Sequence, residues 1–270
     1  MWMAGPVFGP RRQPRHVSRH RRPGSQVNSH ISFLSQEQIA ELCQMATWSD
    51  REVRGDLAGG FIRNEDDYTS NFTGAFRRNI NAYSQTGLVA SSFMASTGVE
   101  RRTGCDAAIV ISRGGRSKVA LFEAKWPRFQ KTSYPWDYAQ TATGLSHFSD
   151  QLERQKAVHP DFAVFEMFYN EYPFGTQPDP LHEYLSSCVW HSDAVSFNEE
   201  RASATDRWTT GDLRSLIKGD GCTIVEILQS LGLCLEGVPL ALDGTTEGVA
   251  GELGIEGPVL RIDAREDVNG

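Results

Sequence analysis

The stretch CDAAIVISRGGRSKVALFEAKW, residues 105–126, holds two apolar runs on either side of Arg113-Gly114-Gly115-Arg116. Two glycines at the centre of a four-residue connection accept the positive φ angles of a tight hairpin turn, so residues 105–112 and 118–125 are expected to pair as antiparallel strands. Partners in such a hairpin lie equally far from the turn, which sets Asp106 opposite Glu123. Alternation along the second strand places Val119, Leu121, Glu123 and Lys125 on one face, and Lys118, Ala120, Phe122 and Ala124 on the other. Two opposite charges thus emerge at the end of an apolar row, where burial without a compensating partner is costly. A carboxylate facing them from the adjacent strand makes a pair of hard oxygen ligands for one divalent cation, with the Ala124 carbonyl as a third. Nowhere else in the chain does a lysine follow an acid by two positions.

Upstream, Ser35 has Gln38 three residues on, a capping-box pattern, and Ile39, Leu42, Cys43 and Ala46 then share one helical face. Gly55, Gly59 and Gly60 are expected to interrupt that helix. A second helix is predicted over 65–83, where Tyr68, Phe72, Phe76, Ile80 and Tyr83 form one stripe, and LVASSFMAS at 88–96 reads as a strand. Downstream, residues 140–157 read as a helix with Leu145, Phe148 and Leu152 on its apolar face. Pro160 closes it, and DFAVFEMFY at 161–169 follows as a buried strand. The core order is helix, three strands, helix, strand. SSCVWHSDAVSF at 186–197 is expected to add an edge strand, TIVEILQSLGLC at 223–234 a helix, and PFGTQPDP at 173–180 a loop over the core. Residues 1–32 read as a basic flexible arm, 33–200 as the main domain with a helical N-terminal extension, and 201–270 as a C-terminal extension without an assigned role.

Asp106, sixteen intervening residues and Glu123-Ala124-Lys125, carried on that order of elements, resemble the PD-(D/E)XK nuclease superfamily. The resemblance covers residues 60–170 and implies a restriction-endonuclease-like α/β fold, a three-layer core with a central mixed sheet in the order αβββαβ, here with C-terminal additions. It implies that Asp106 and Glu123 hold a catalytic Mg²⁺, with Mn²⁺ as a substitute, and that Lys125 orients or activates the attacking water. Many members place another acid on the helix before the sheet. Glu65 is the match here, with Asp66, about 100° further round the helix, as second choice. Gln151 resembles the glutamine that several nuclease families set near the metal or substrate. Gly104-Cys105-Asp106 departs from the family pattern, which has proline before the aspartate. The implied activity is metal-dependent hydrolysis of DNA phosphodiester bonds, as an endonuclease in restriction or antiviral defence; the alternative is a non-catalytic member of the fold that binds DNA or protein.

Around this motif, Arg101, Arg102, Arg113, Arg116, Lys118, Arg128 and Lys131 form a basic stretch in a chain of net charge −7. Arg101, Arg102, Arg128 and Lys131 are the candidates for nucleic-acid contacts. Trp126, Tyr134, Trp136 and Tyr138 either stack on bases, close over the cleft or pack in the core. His147, one turn before Gln151, shares its polar face. The arm carries six arginines and no acid, a composition that either touches phosphates non-specifically or has no role. The acidic last thirty residues argue against a protein that coats nucleic acid with its whole surface. Five cysteines without metal spacing read as reduced thiols, and the absence of long apolar runs gives no membrane span or secretory signal, so the expected location is cytoplasmic. Neither GxGxxG nor a Walker A pattern occurs. Nothing in the sequence separates DNA from RNA, and opposed cuts in a duplex would call for two sites, as a homodimer provides.

Overall fold

Ser35 caps α1 (Gln36–Ala58) with the reciprocal hydrogen bonds its spacing predicts, in a computed structural model that describes residues 32–95, 103–126, 136–169, 185–242 and 246–265. The basic arm, the 173–180 loop, Tyr134, and the four candidate contacts Arg101, Arg102, Arg128 and Lys131 lie outside the described residues. Contrary to expectation, α1 continues through Gly55. That glycine faces solvent between buried Val53 and Leu57, whose burial outweighs the roughly 1 kcal/mol a single helical glycine costs. The next helix, α2 (Glu65–Tyr83), has the predicted bounds and buries Tyr68, Phe72, Phe76 and Ile80, whereas Tyr83 is exposed.

After β1 (Leu88–Ala95) comes the hairpin of β2 (Ala107–Arg113) and β3 (Arg116–Lys125). Gly114 and Gly115 have φ of 58° and 72°, and the ladder runs from Arg113 opposite Arg116 to Ala107 opposite Phe122. This is the register read from the turn. The helix expected over 140–157 is shorter: α3 spans His147–Gln155. Ser146 caps it and Gly144, at φ 72°, turns the preceding chain, which leaves Leu145 exposed instead of on the apolar face. The strand β4 (Ala163–Phe168) follows, then β5 (Ser187–Trp190), which gives way at once to α4 (His191–Glu200) where a longer edge strand was expected; nor is β5 an edge, since Cys222 and Thr223 pair on its far side. The chain continues as α5 (Thr210–Asp220), β6 (Cys222–Thr223), α6 (Ile224–Gly232), α7 (Thr246–Leu253) and β7 (Gly257–Ala264).

The result is a three-layer α/β architecture around a seven-stranded mixed sheet in the order β1-β7-β2-β3-β4-β5-β6. The last strand lies between β1 and β2, antiparallel to the first and parallel to the second. Residues 201–270, to which the sequence assigned no role, therefore supply an interior strand. Gly257 makes the insertion sterically possible, because a Cβ there would stand 1.9 Å from the Asp106 carbonyl oxygen. One face of the sheet, with Ala120, Phe122 and Ala124 of β3, packs on α1, α2 and α6; the other, with Val119 and Leu121, meets Val249 and Leu253 of α7. Further along that second face, Phe148 and Leu152 of α3 join Phe168, Val189, Trp208 and Leu216. Among the described residues, no helix is long and apolar enough to cross a membrane.

Candidate metal centre

Three elements end at one place. Glu65 is the first residue of α2, Asp106 immediately precedes β2, and Glu123 lies near the end of β3. Backbone groups of the hairpin and of the residue after it hold Asp106 and Glu65, and side chains hold the Glu123 carboxylate. The Asp106 N–H donates to the Phe122 carbonyl (2.9 Å), and its Oδ2 accepts from the Ala124 N–H (3.0 Å). Glu65 Oε2 accepts from the N–H of Trp126, the residue after β3, at 2.8 Å. Glu123 is buried, and its Oε1 accepts from both Lys125 Nζ and Gln151 Nε2. Carboxylate oxygens of Glu65, Asp106 and Glu123 come within 4.8 Å of one another. The hairpin turn brings Asp106 to Glu123, and the helical start places Glu65 over both. Asp66, the second choice on α2, is exposed and outside the cluster.

Charge in this enclosed space acts on every member. Burial pushes Glu65 up to about 7; the neighbouring Asp106 adds to the rise, while Lys125 and the Trp126 N–H oppose it. Burial likewise lifts Glu123 well above the carboxylate range, against the pull of Lys125 and with Asp106 and Glu65 adding to the rise. For Lys125, burial favours the neutral amine, but Glu123, Glu65 and Asp106 together outweigh it and raise the ammonium above its ordinary value. Its Nζ also stands 5.4 Å from the centroid of the Phe148 ring. Without a cation the site thus shifts Glu65 and Glu123 toward their neutral acids, and a divalent cation that takes the place of their protons offsets the charge of three carboxylates facing one ammonium.

The residues present fit such an ion. Glu123 Oε2 and Gln151 Oε1 are buried without a hydrogen-bond partner among the described residues. The donors are all oxygen, the set that hard cations such as Mg²⁺, Mn²⁺ and Ca²⁺ select. The Ala124 peptide, whose N–H already binds Asp106, places its backbone at the same edge. Glu65, Asp106, Glu123 and Lys125 line a cavity of about 450 Å³, whose other walls include Arg63, Trp136, Tyr138, His147, Phe148 and Gln151.

Beyond the cluster the sequence reading is redistributed. Arg113 and Arg116 sit at the hairpin turn, where they donate to the carbonyls of Phe33 and Pro239, and Lys118 is buried with its Nζ 3.5 Å from Cys234 Sγ. These three therefore do not extend a basic surface toward the carboxylates. Trp126 packs partly against the core, Trp136 is buried, and Tyr138 remains exposed while stacked on His147 with centroids 4.2 Å apart. Burial, with the charges of Lys125 and Arg154, pushes His147 down to about 4, so the stacked imidazole is neutral near pH 7.

Two residues escaped the sequence reading. Asp137 ties the 136–138 segment to the start of α3, and Gln155, one turn after Gln151, donates to the Gly104 carbonyl (3.1 Å) two residues before Asp106. The i, i+4 spacing of Gln151 and Gln155 was a legible signal for the second; Asp137 had none, since a single aspartate between two aromatics is unremarkable in a loop.

The fold and this cluster define an α/β domain with a three-carboxylate centre able to chelate a metal, as in metal-dependent enzymes generally. Comparison with family models, with curated proteins and with solved structures gives no match.

Proposed function

We propose that the protein is a metal-dependent nuclease of the PD-(D/E)XK type, hydrolysing DNA phosphodiester bonds with Mg²⁺, or Mn²⁺ in its place. The observation that carries this reading is the convergence of Glu65, Asp106 and Glu123 within 4.8 Å, with Lys125 on the same face of β3 as Glu123. A motif of acid, spacer and E-x-K is uninformative as a string; its value comes from three carboxylates meeting beside a lysine.

Glu65, Asp106 and Glu123 would hold the ion, joined by the Ala124 carbonyl, and Gln151 would keep the Glu123 carboxylate oriented through its amide N–H. Bound there, a divalent cation neutralises phosphate charge and lowers the pKa of a water. Lys125 presents an ammonium with three donors and no acceptor, suited to positioning the nucleophile and to offsetting charge that grows on the phosphoryl oxygens. Arg101, Arg102, Arg128 and Lys131, which flank the two strands in sequence, are assigned the neighbouring phosphates. An endonuclease of restriction or defence against foreign DNA, acting in the cytoplasm and as a homodimer where both strands are cut, is the biological role that agrees with this chemistry.

Purified protein incubated with supercoiled, linear and single-stranded DNA tests the proposal. Cutting is expected with Mg²⁺, is abolished by EDTA, and falls by about 10³-fold or more in Asp106→Ala and Lys125→Ala, the scale of losing a group that stabilises transition-state charge. Metal-dependent cutting that survives in both variants sinks the assignment. DNA binding without hydrolysis under all metal conditions favours the non-catalytic member of the fold.

A further inference from the structure

We propose that Lys118 and Cys234 form an oxidation-sensitive pair: a peroxide oxidises the Cys234 sulfur, and the Lys118 amine then closes on it as a covalent S–N cross-link. The proposal is independent of the carboxylate centre and of the nuclease reading. Lys118, on the face of β3 that carries Ala120 and Phe122, is only 1% exposed, and its Nζ donates to Cys234 Sγ at 3.5 Å. Burial pulls the Lys118 ammonium below its ordinary value, with Cys234 and Glu236 opposing, which favours the neutral amine whose lone pair a nucleophile needs. Cys234 is partly exposed at the end of α6, beside exposed Leu235, so a small oxidant reaches the sulfur while the amine stays dry.

The backbone holds the sulfur in place. Cys234 follows the C-cap Leu233 at φ 61°, a helix-end position that suits glycine, and its N–H donates to the Leu231 carbonyl (3.1 Å). The other cysteines are set differently. Cys43 and Cys105 donate to the Val225 and Thr103 carbonyls, Cys188 is buried, and burial pushes Cys43 up to about 11 and Cys222 up to about 12, where a thiol reacts slowly with peroxide. At Cys234 the steps balance. The O–O bond of hydrogen peroxide breaks as an S–O bond forms, sulfur gives up two electrons, and water leaves a sulfenic acid behind. The Lys118 lone pair then forms the S–N bond, the S–O bond breaks, and the hydroxyl departs with an Nζ proton as a second water. A thiol attacking the sulfur reverses the link. Once closed, it ties β3, the strand of Glu123 and Lys125, to the end of α6.

Full-length protein, reduced and then treated with hydrogen peroxide, tests the pair by tryptic digestion and mass spectrometry. A linked Lys118 is not cut, so the expected product is the peptide 117–125 joined to 219–261, lighter than the two together by two hydrogens. Dithiothreitol is expected to separate them, and neither Lys118→Met nor Cys234→Ser to yield them joined. Cys234 found unmodified, as a sulfenic or sulfinic acid, or in a disulfide with Cys222 that leaves 117–125 free, overturns the pair. The wild-type digest decides this without either variant. Linked protein is expected to melt about 5 °C above reduced protein, because a cross-link that closes so long a loop constrains the unfolded chain. An unchanged melting temperature overturns the reading that the native pair already stands in place to close.

Discussion

Asp137 and Glu123 are both buried carboxylates at the end of the molecule where α3 meets the sheet, and their surroundings are opposite. Asp137 accepts four hydrogen bonds, three of them from backbone N–H groups, which leaves its charge diffused over donors that would otherwise be unmet. Asp50 on α1 follows the same pattern, accepting from the Ser186 N–H (2.7 Å), Ser186 Oγ (2.7 Å) and Tyr68 Oη (3.0 Å). Glu123 has two donors crowded on one oxygen, none on the other, and two further carboxylates alongside. A carboxylate that holds the fold is saturated with donors. One that awaits a ligand keeps an oxygen bare and company of its own sign, an arrangement that stabilises the metal-free protein poorly and a bound cation well.

The largest effect that would break this comparison is at Asp137. Asp137→Ala removes an acceptor from four donors in a dry site, so a loss of about 3–5 kcal/mol in unfolding free energy is expected, on the order of 10 °C in melting temperature. Glu123→Gln in metal-free protein is expected not to lower the melting temperature, because its surroundings already favour the neutral acid. Thermal denaturation in EDTA reads both. A Glu123→Gln protein as unstable as Asp137→Ala would mean that the cluster is structural.

The same contrast explains what could be read before folding. The hairpin was legible because its register is local: two glycines at one turn decide which residues meet, and Asp106 follows from Glu123 by counting. The α1 cap and the α2 bounds were local too, the first a spacing of three residues and the second a stripe ending at a strand. The place of β7 was not, since its neighbours β1 and β2 lie far back along the chain, and the cue that admits it, Gly257 against the Asp106 carbonyl, has meaning only in three dimensions. The overlong α3 came from reading Leu145 as apolar stripe when Gly144 and Ser146 were already the turn and cap. At the site, Glu65 was within reach because the resemblance calls for an acid on the helix before the sheet, and the apolar stripe of α2 favours Glu65 over Asp66. Asp137 was invisible, for its partners come from residues up to Trp208.

A middle-sized effect sharpens the comparison from the ligand side. Mg²⁺ at about 100 times its dissociation constant is expected to raise the unfolding free energy by about 2.7 kcal/mol, as any ligand of the native state does, with no such gain in Asp106→Ala. Melting curves at several Mg²⁺ concentrations check this. An equal gain in wild type and variant would place the ion elsewhere.

The smallest effect is in the pH dependence, where Glu65 and His147 pull in opposite directions. Glu65 is raised from 4.5 to about 7, so its contribution to stability is complete below 4.5 and is lost as pH rises through about 7. His147 is lowered from 6.5 to about 4, so its contribution is complete above 6.5 and is lost as pH falls through about 4. The windows overlap, so the two trends oppose each other in a melting curve of the metal-free protein, where buried Glu123 and Asp50, both raised, add to the Glu65 side. Metal affinity does not mix them in this way, because an ion must displace the proton on Glu65 and need not touch His147. Mg²⁺ affinity is therefore expected to climb as pH rises through about 7, with proton release visible by calorimetry in buffers of different ionisation enthalpy. Glu65→Gln removes that slope while His147→Gln keeps it; a slope that survives in Glu65→Gln would assign the displaced proton to Glu123, whose raised pKa makes it the other acid able to hold one.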